Sequence, residues 1–309
     1  MTGQTTMWLG FGIVITVMFV LDLGVFNRKS HEIRFREALA WTLTWVTLAL
    51  AFNVWIYYSM GPTKAIEFFT GYLIEESLSV DNLFVFIMIF SYFHITKVHQ
   101  PKILKWGIIG ALLMRAVFIF TGIELIERFH WMIYLFGVIL VVTGIKMAFG
   151  GEEKIEPEKN LLVRLVRRFV PITKRIRDDR FFIRRQGILA ATPLFLALLV
   201  IESSDVIFAV DSIPAVLAVT HDPFIVYTSN VFAIMGLRSL YYLLAHVMEM
   251  FVYLKLGISF ILTFVGVKML LVDVWHIPIY FSLGVIVGSL AIAILTSITI
   301  GRHRHQTQH

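Results

Sequence analysis

Two short polar strings lie inside segments that are otherwise strongly apolar, and they hold the side chains best suited to chemistry. The first string runs from Glu76 to Asn82, and the second runs from Glu202 to Pro214. A charged side chain at bilayer depth costs about 3 kcal/mol of insertion free energy, so such residues commonly have a function. The candidate ligands in the two strings are Glu76, Asp81, Glu202, Asp205 and Asp211, with Ser79, Asn82, Ser204 and Ser212 beside them.

These side chains form an all-oxygen ligand set, and the chain contains no cysteine. Hard divalent cations such as manganese(II), magnesium and calcium prefer carboxylate and carbonyl oxygens. A zinc or copper site would recruit His or Cys, and no histidine lies inside either string. The residues therefore predict a site for a hard divalent cation. The missing cysteines exclude disulfides and thiol redox chemistry carried by this chain.

Other charged residues within the apolar segments include Arg115, Arg238 and Asp22. Arg115 and Arg238 are expected to pair with the acidic side chains, which leaves open a purely structural role for the carboxylates. Against that alternative, two arginines cannot neutralise five carboxylates. Asp22 lies near the cytoplasmic end of the first apolar segment, where it either reaches to water or supports the ion path.

The composition indicates an all-α, polytopic membrane protein. The 309 residues are 58% hydrophobic and 16% charged, with a mean hydropathy of +0.80. The net charge of +6 does not indicate nucleic-acid binding, because the basic residues gather in loops between apolar segments. The first span has no basic stretch before it and no cleavage site, so it is expected to remain as an anchor. Nine spans are predicted, at 7–27, 38–60, 66–93, 104–123, 131–149, 187–218, 224–245, 250–272 and 278–300.

The distribution of lysine and arginine predicts the orientation. Alternate loops place 21 basic residues on one side of the membrane and only Lys64 and Arg128 on the other. Because cytoplasmic loops are enriched in lysine and arginine, the N-terminus is expected in the periplasm and the C-terminus in the cytoplasm of a bacterial inner membrane.

The chain also contains an internal repeat. The segment ending at Arg115 matches the one ending at Arg238, an offset of 123 residues, and Asp81 matches Asp205 at an offset of 124. Gly144 matches Gly266 at an offset of 122. Each copy contains three spans, and because this number is odd, the second copy enters the membrane from the opposite side. Such inverted repeats are typical of secondary transporters. We therefore expect one transmembrane domain, 1–309, with repeats at 66–149 and 187–272 and a cytoplasmic loop at 150–186.

The second acidic string is expected to interrupt its helix. On a continuous helix Asp211 lies about 180° around the axis from Glu202. Pro214 cannot donate to the carbonyl of Val210, and its ring clashes there. The sequence therefore predicts a kink or unwinding near Asp211 that gathers the carboxylates. The first string has no proline, so a break there is less strongly indicated.

The loop at 150–186 is strongly basic and predicts a membrane-surface helix. Its apolar residues recur at helical spacing beside Arg164, Arg167 and Arg168. Such a helix would rest on anionic lipid of the inner leaflet, and the alternative is a plain solvated linker. The proposed apolar face consists of Leu161, Leu162, Leu165, Val166 and Phe169.

Seen as a whole, the sequence resembles the TerC family of integral membrane proteins. The resemblance implies a manganese exporter, or a protein of manganese homeostasis, induced under alkaline or metal stress, together with older labels of tellurite resistance and membrane redox modulation. The acidic positions of the family correspond here to the five carboxylates already singled out. The resemblance runs through Gly71 to Glu75, Ser77 to Phe84, Ser91 to Phe93, Ala191 to Pro193, Asp205 to Ala215, Thr228 to Asn230 and His276 to Pro278.

Two classes of function remain in view. The first is a secondary transporter that exports a divalent cation, most readily manganese(II), in exchange for protons. The second is a membrane scaffold or redox-modulating stress protein in which the acidic strings are structural. No nucleophile–base pair is visible, so an enzyme is not expected, and no permanent cofactor is expected. The sequence does not indicate an oligomeric state.

Overall fold

The computed structural model describes residues 2–20, 34–150, 161–173, 180–185, 188–247, 254–275 and 277–306. Helices account for nearly all of the regular structure, and one two-stranded hairpin accompanies them. The strands are β1 (Phe182–Arg185) and β2 (Ile188–Ala191). The helices are α1 (Thr2–Val20), α2 (Phe35–Met60), α3 (Pro62–Tyr92), α4 (Gln100–Arg128), α5 (Met132–Phe149), α6 (Leu161–Phe169), α7 (Pro193–Leu217), α8 (Pro223–Val247), α9 (Leu254–Leu270) and α10 (Ile279–Gln306).

Each of the nine predicted spans overlaps one long helix, although the end of the first span and Asp22 lie outside the described residues. Within the described part of the chain, five helices are long and apolar enough to cross a membrane, namely α2, α4, α5, α7 and α10. Their outer faces expose large apolar side chains, for example Leu113, Val142 and Ile292. Such a surface suits lipid, because hydrocarbon replaces water around it. The number of crossings stays a prediction.

The centre of the bundle is formed by α3, α4, α7 and α8. Helix α3 packs on α8 in the way that α4 packs on α7, and α5 runs along α9. Under the repeat offsets, α3, α4 and α5 correspond to α7, α8 and α9. Under this correspondence the contact between α3 and α8 maps onto the contact between α7 and α4. The contact between α5 and α9 maps onto itself. The helices with polar strings, α3 and α7, therefore face one another across the core.

Helices α5 and α9 approach closely at glycines. A Cβ on Gly137 would lie 3.0 Å from the carbonyl oxygen of Gly266, and one on Gly144 would lie 2.7 Å from that of Ser259. Small residues allow such close packing of helices in membranes. At the offset of 122 residues Gly137 corresponds to Ser259 and Gly144 to Gly266, so the two contacts are equivalent.

The hairpin corrects the prediction that the chain is entirely helical and that a span begins at residue 187. Strand β1 pairs antiparallel with β2, and the ring of Phe182 lies 4.4 Å from that of Phe195. Helix α7 begins only at Pro193, because proline suits the first turn, where its missing N–H leaves no bond unmade.

The predicted interruption of the second acidic helix is wrong. Helix α7 runs without a break from Pro193 to Leu217, with Pro214 inside it. Pro214 lies three residues before the end of the helix, so the lost hydrogen bond to Val210 affects only the last turn. Helix α3 is also continuous through its acidic string. The polar side chains therefore meet through helix packing and not through unwound backbone.

The amphipathic helix in the basic loop is present as α6. Val163 on α6 is fully buried and Val166 packs against the main core, where α6 contacts α7. Leu165, which the sequence assigned to the apolar face, is 53% exposed. Helix α6 therefore packs Val163 and Val166 against the bundle, and the predicted contact of its apolar face with lipid stays a prediction.

Candidate functional site

A buried ion pair joins three central helices. Arg115 on α4 donates through Nη1 to Oε1 of Glu75 on α3. The amide nitrogen of Asn230 on α8 donates to the other oxygen of Glu75 at 2.6 Å. Arg115 is 2% exposed and Glu75 is 0% exposed. Ion pairs buried to this degree survive only when hydrogen bonds compensate the lost hydration, and here two donors share one carboxylate.

Asp205 on α7 is the second anion beside the same guanidinium. Its Oδ1 lies 3.7 Å from Nη2 of Arg115, which is beyond hydrogen-bond distance. Its Oδ2 is buried and has no hydrogen-bond partner among the described residues, and the same holds for Nε of Arg115. Arg115 therefore links Glu75 tightly and Asp205 loosely.

Two further carboxylates rest against glycines of neighbouring helices. The carboxylate of Glu202 lies against Gly110 of α4, where any Cβ would overlap it, and lies about 4.0 Å from the Cβ position of Gly107. On the other side, Oε1 of Glu76 lies 3.9 Å from the Cβ position of Gly236 on α8. Because Gly110 has no side chain, α4 has a recess at this position, and the carboxylate of Glu202 occupies it.

The remaining predicted ligands are spread along α3 and α7. Asp211 accepts a hydrogen bond of 2.9 Å from Thr143 on α5, and Asp81 is half-buried on α3. Ser204 donates its hydroxyl proton to the carbonyl of Val200 within its own helix, so a ligand could use only the lone pairs of its oxygen. The other predicted supporting residues, Asn82, Ser79, Ser212 and Arg238, are buried.

The structure does not gather the five predicted carboxylates at one point. Among the residues that it describes, no three His, Asp or Glu side chains are placed to hold a metal ion together. It does bring Asp205 close to Arg115, and it places Glu202 in the recess on α4. Several buried oxygens nearby lack hydrogen-bond partners in the described part of the chain, namely Glu76 Oε2, Asp205 Oδ2, Asn230 Oδ1, Ser79 Oγ and Ser212 Oγ.

Sequence reasoning missed Glu75 and Asn230. Both lie in segments that carry the family resemblance, but the predicted ligand was the neighbouring Glu76. A usable signal was present: Arg115 lies in mid-helix and requires a buried anion, and Glu75 and Glu76 point about 100° apart. Helical periodicity alone does not say which of the two faces α4.

A separate cavity opens at the end of the bundle where α3 begins and α7 and α9 end. Its volume is about 630 Å³, and Lys64 ties its wall together by contacting Glu67 at 2.8 Å and Asp222 at 3.0 Å. Thr220 donates to Glu67 at 2.6 Å. These bonds join the start of α3 to the loop between α7 and α8. In the predicted orientation this end faces the periplasm.

His221 lines this cavity and makes the fold sensitive to pH. Burial lowers its pKa from the ordinary value of 6.5, opposed by the carboxylate of Glu127 and the backbone of Leu217. A lowered folded-state pKa means that the unfolded chain takes up a proton first as pH falls below 6.5. The contribution of His221 to the free energy of unfolding is therefore fully present above pH 6.5 and is lost as pH falls through the folded-state pKa.

We expect His221→Gln to flatten this part of the stability profile. Thermal unfolding of the purified protein, followed from about pH 7.5 to about pH 5, measures the effect. The wild type should lose stability more steeply than the variant. Parallel profiles would show that the protonation of His221 is not linked to unfolding.

Fold and site together define a class: a helical membrane protein with a charged centre buried between its core helices. The model of the TerC family of integral membrane proteins matches residues 60–305. This chain belongs to the TerC family. No solved structure matches it.

Full-length relatives are found among bacterial membrane proteins. An uncharacterized membrane protein of Myxococcus xanthus is 48% identical over 97% of this chain and 94% of its own length. The Alx protein of Escherichia coli, provisionally named a membrane-bound redox modulator, is 46% identical over 99% of this chain and 98% of its own. An uncharacterized membrane protein of Rickettsia bellii is 40% identical over 94% of this chain and 96% of its own.

Proposed function

We propose that this protein is a secondary transporter that exports a divalent cation, most readily manganese(II), in exchange for protons. The observation that carries the proposal is an excess of buried and half-buried carboxylates over buried arginines in the core helices. Glu75 and Asp205 lie beside Arg115, Glu76 lies near Glu75, and Glu202 lies near Asp205. The two buried arginines, Arg115 and Arg238, carry only two positive charges. Protons or a cation must supply the rest, because uncompensated charge in low dielectric is costly. Binding a cation would then displace protons, which couples the two flows.

The chemistry of the available oxygens supports a hard cation. Unpartnered oxygens of Glu76, Asp205, Asn230 and two serines lie on α3, α7 and α8. Neither acidic string contains a histidine, cysteine or methionine. Manganese(II) accepts such ligands, as do magnesium and calcium. The family resemblance favours manganese among the three. An enzymatic role is not part of this proposal.

The proposed architecture is an inverted repeat in the bacterial inner membrane. The α3–α8 contact is equivalent to the α4–α7 contact, and the two glycine contacts between α5 and α9 are equivalent to each other. This equivalence supports a two-fold axis in the membrane plane. The N-terminus would face the periplasm and the C-terminus the cytoplasm, because the basic loops lie on one side. The arginines of α6 would then meet anionic lipid.

A flux measurement tests the proposal. Purified protein in liposomes loaded with a manganese-sensitive dye should pass Mn²⁺ when a proton gradient is imposed. Asp81→Asn and Asp205→Asn, at equivalent places in the two repeats, should each reduce flux to the background of empty liposomes. Both carboxylates lie in the core helices, where an amide cannot exchange a proton for a cation.

Glu124→Gln is the matched control, because this carboxylate lies on the exposed surface of α4 and pairs with Arg128 on the same helix. It should transport like the wild type. If Asp81→Asn and Asp205→Asn also transport normally, the carboxylates are structural. The scaffold alternative would then gain support from the bridge that Arg115 makes between α3 and α7.

A further inference from the structure

The two carboxylates beside Arg115 are held in different ways. Both oxygens of Glu75 are engaged, one by Nη1 of Arg115 and the other by Asn230 at 2.6 Å. Asp205 approaches Nη2 only to 3.7 Å. Glu75 is thus fixed by directional bonds from two helices, whereas Asp205 is held by electrostatic attraction alone.

Asp205 also keeps the capacity to bind another partner. Its Oδ2 is buried and accepts no hydrogen bond from the described residues. Glu202 lies one helical turn earlier on the same side of α7, and Ser212 lies two turns later with its hydroxyl likewise unpartnered in the described chain. A cation that approached this side of α7 would find free oxygens on Asp205 but none on the saturated Glu75.

We infer that the guanidinium of Arg115 is a built-in competitor of the transported cation at Asp205. Without a cation, the guanidinium of Arg115 attracts Asp205 and partly offsets its buried charge. When a cation arrives, Asp205 turns toward it, and Glu75 with Asn230 retains the guanidinium. Glu75 is then a positioning residue and not a cation ligand. This inference rests on the proposed function and assigns roles within the same site.

Competition of this kind lowers the affinity for the cation and assists its release. The guanidinium and the cation share one carboxylate, so each weakens the binding of the other by the same factor. A strong site that lacked the competitor would hold its cation and turn over slowly. The charge of Arg115 therefore affects affinity and transport in opposite directions, which a purely structural ion pair would not do.

Binding of Mn²⁺ to purified protein, measured by the loss of the electron paramagnetic resonance signal of the free ion, tests the inference. Arg115→Gln should tighten binding about tenfold and slow transport, as expected for the removal of a coupled competitor. Glu75→Gln should weaken binding, because the guanidinium then becomes free to pair closely with Asp205. Arg128→Gln, which removes an exposed charge from the same helix, should change neither quantity.

Arg115→Gln alone leaves the buried carboxylate of Glu75 without its ion-pair partner and could prevent folding. The double variant Glu75→Gln with Arg115→Gln removes both charges and so serves as the second test. It should bind Mn²⁺ more tightly than the wild type. Weaker binding in the double variant, with normal binding in the wild type, would overturn the competitor role alone. A wild type that binds no Mn²⁺ would overturn the proposed function and this inference together.

Discussion

Gly110→Ala is expected to reduce manganese flux about a hundredfold, the scale of loss that follows when a reacting group is displaced by about 1 Å. The added methyl group would overlap the carboxylate of Glu202. That carboxylate is the free end of a flexible side chain, so it can swing away at little energetic cost. The substitution therefore removes Glu202 from its recess on α4 without disturbing the backbone.

Gly107→Ala is the matched control. It lies one turn earlier on α4, and its Cβ would meet Ile201 at 3.5 Å and Glu202 at 4.0 Å, which are ordinary contacts. Both substitutions raise helix propensity by about 1 kcal/mol, so their effects on folding should be similar. The flux assay in liposomes then reports the position of Glu202. Equal flux in the two variants would show that transport does not depend on this recess.

Glu75→Ala is expected to cause the largest loss of stability in the bundle. Removing this carboxylate takes away the tight partner of the buried Arg115, which can then pair only by shifting toward Asp205, and it leaves the amide of Asn230 without its acceptor. Breaking a buried ion pair by removing one partner costs about 3–5 kcal/mol. Unfolding in mixed micelles with increasing dodecyl sulfate measures the change in the free energy of unfolding.

Glu124→Ala provides the comparison for an exposed pair on the same helix as Arg115. Glu124 and Arg128 are 55% and 70% exposed, and pairs in such positions contribute less than about 1 kcal/mol. The two alanine variants should therefore differ several-fold in their effect on stability. A small loss in both would mean that water reaches Arg115 and that the central ion pair is not truly buried.

Much of the fold follows from local sequence. The predicted spans lie on the helices of the structure because an apolar run of about 20 residues has few alternatives to a helix in hydrocarbon. The break predicted in α7 failed because a proline near the C-terminal end of a helix removes a single bond there. The hairpin before Pro193 was missed because it is short and lies next to a long apolar run that dominated the pattern.

The sequence by itself determined the class of protein, the helices that carry the acidic strings, and the need of Arg115 for a buried anion. Only the tertiary structure decided that Glu75 and not Glu76 meets Arg115, that Asn230 completes the pair, and that Glu202 rests on Gly110. Neighbouring residues on a helix point about 100° apart, so the rotation of α3 about its axis decides which of the two faces Arg115. That rotation is set by side-chain packing between helices distant in sequence, which local periodicity does not contain.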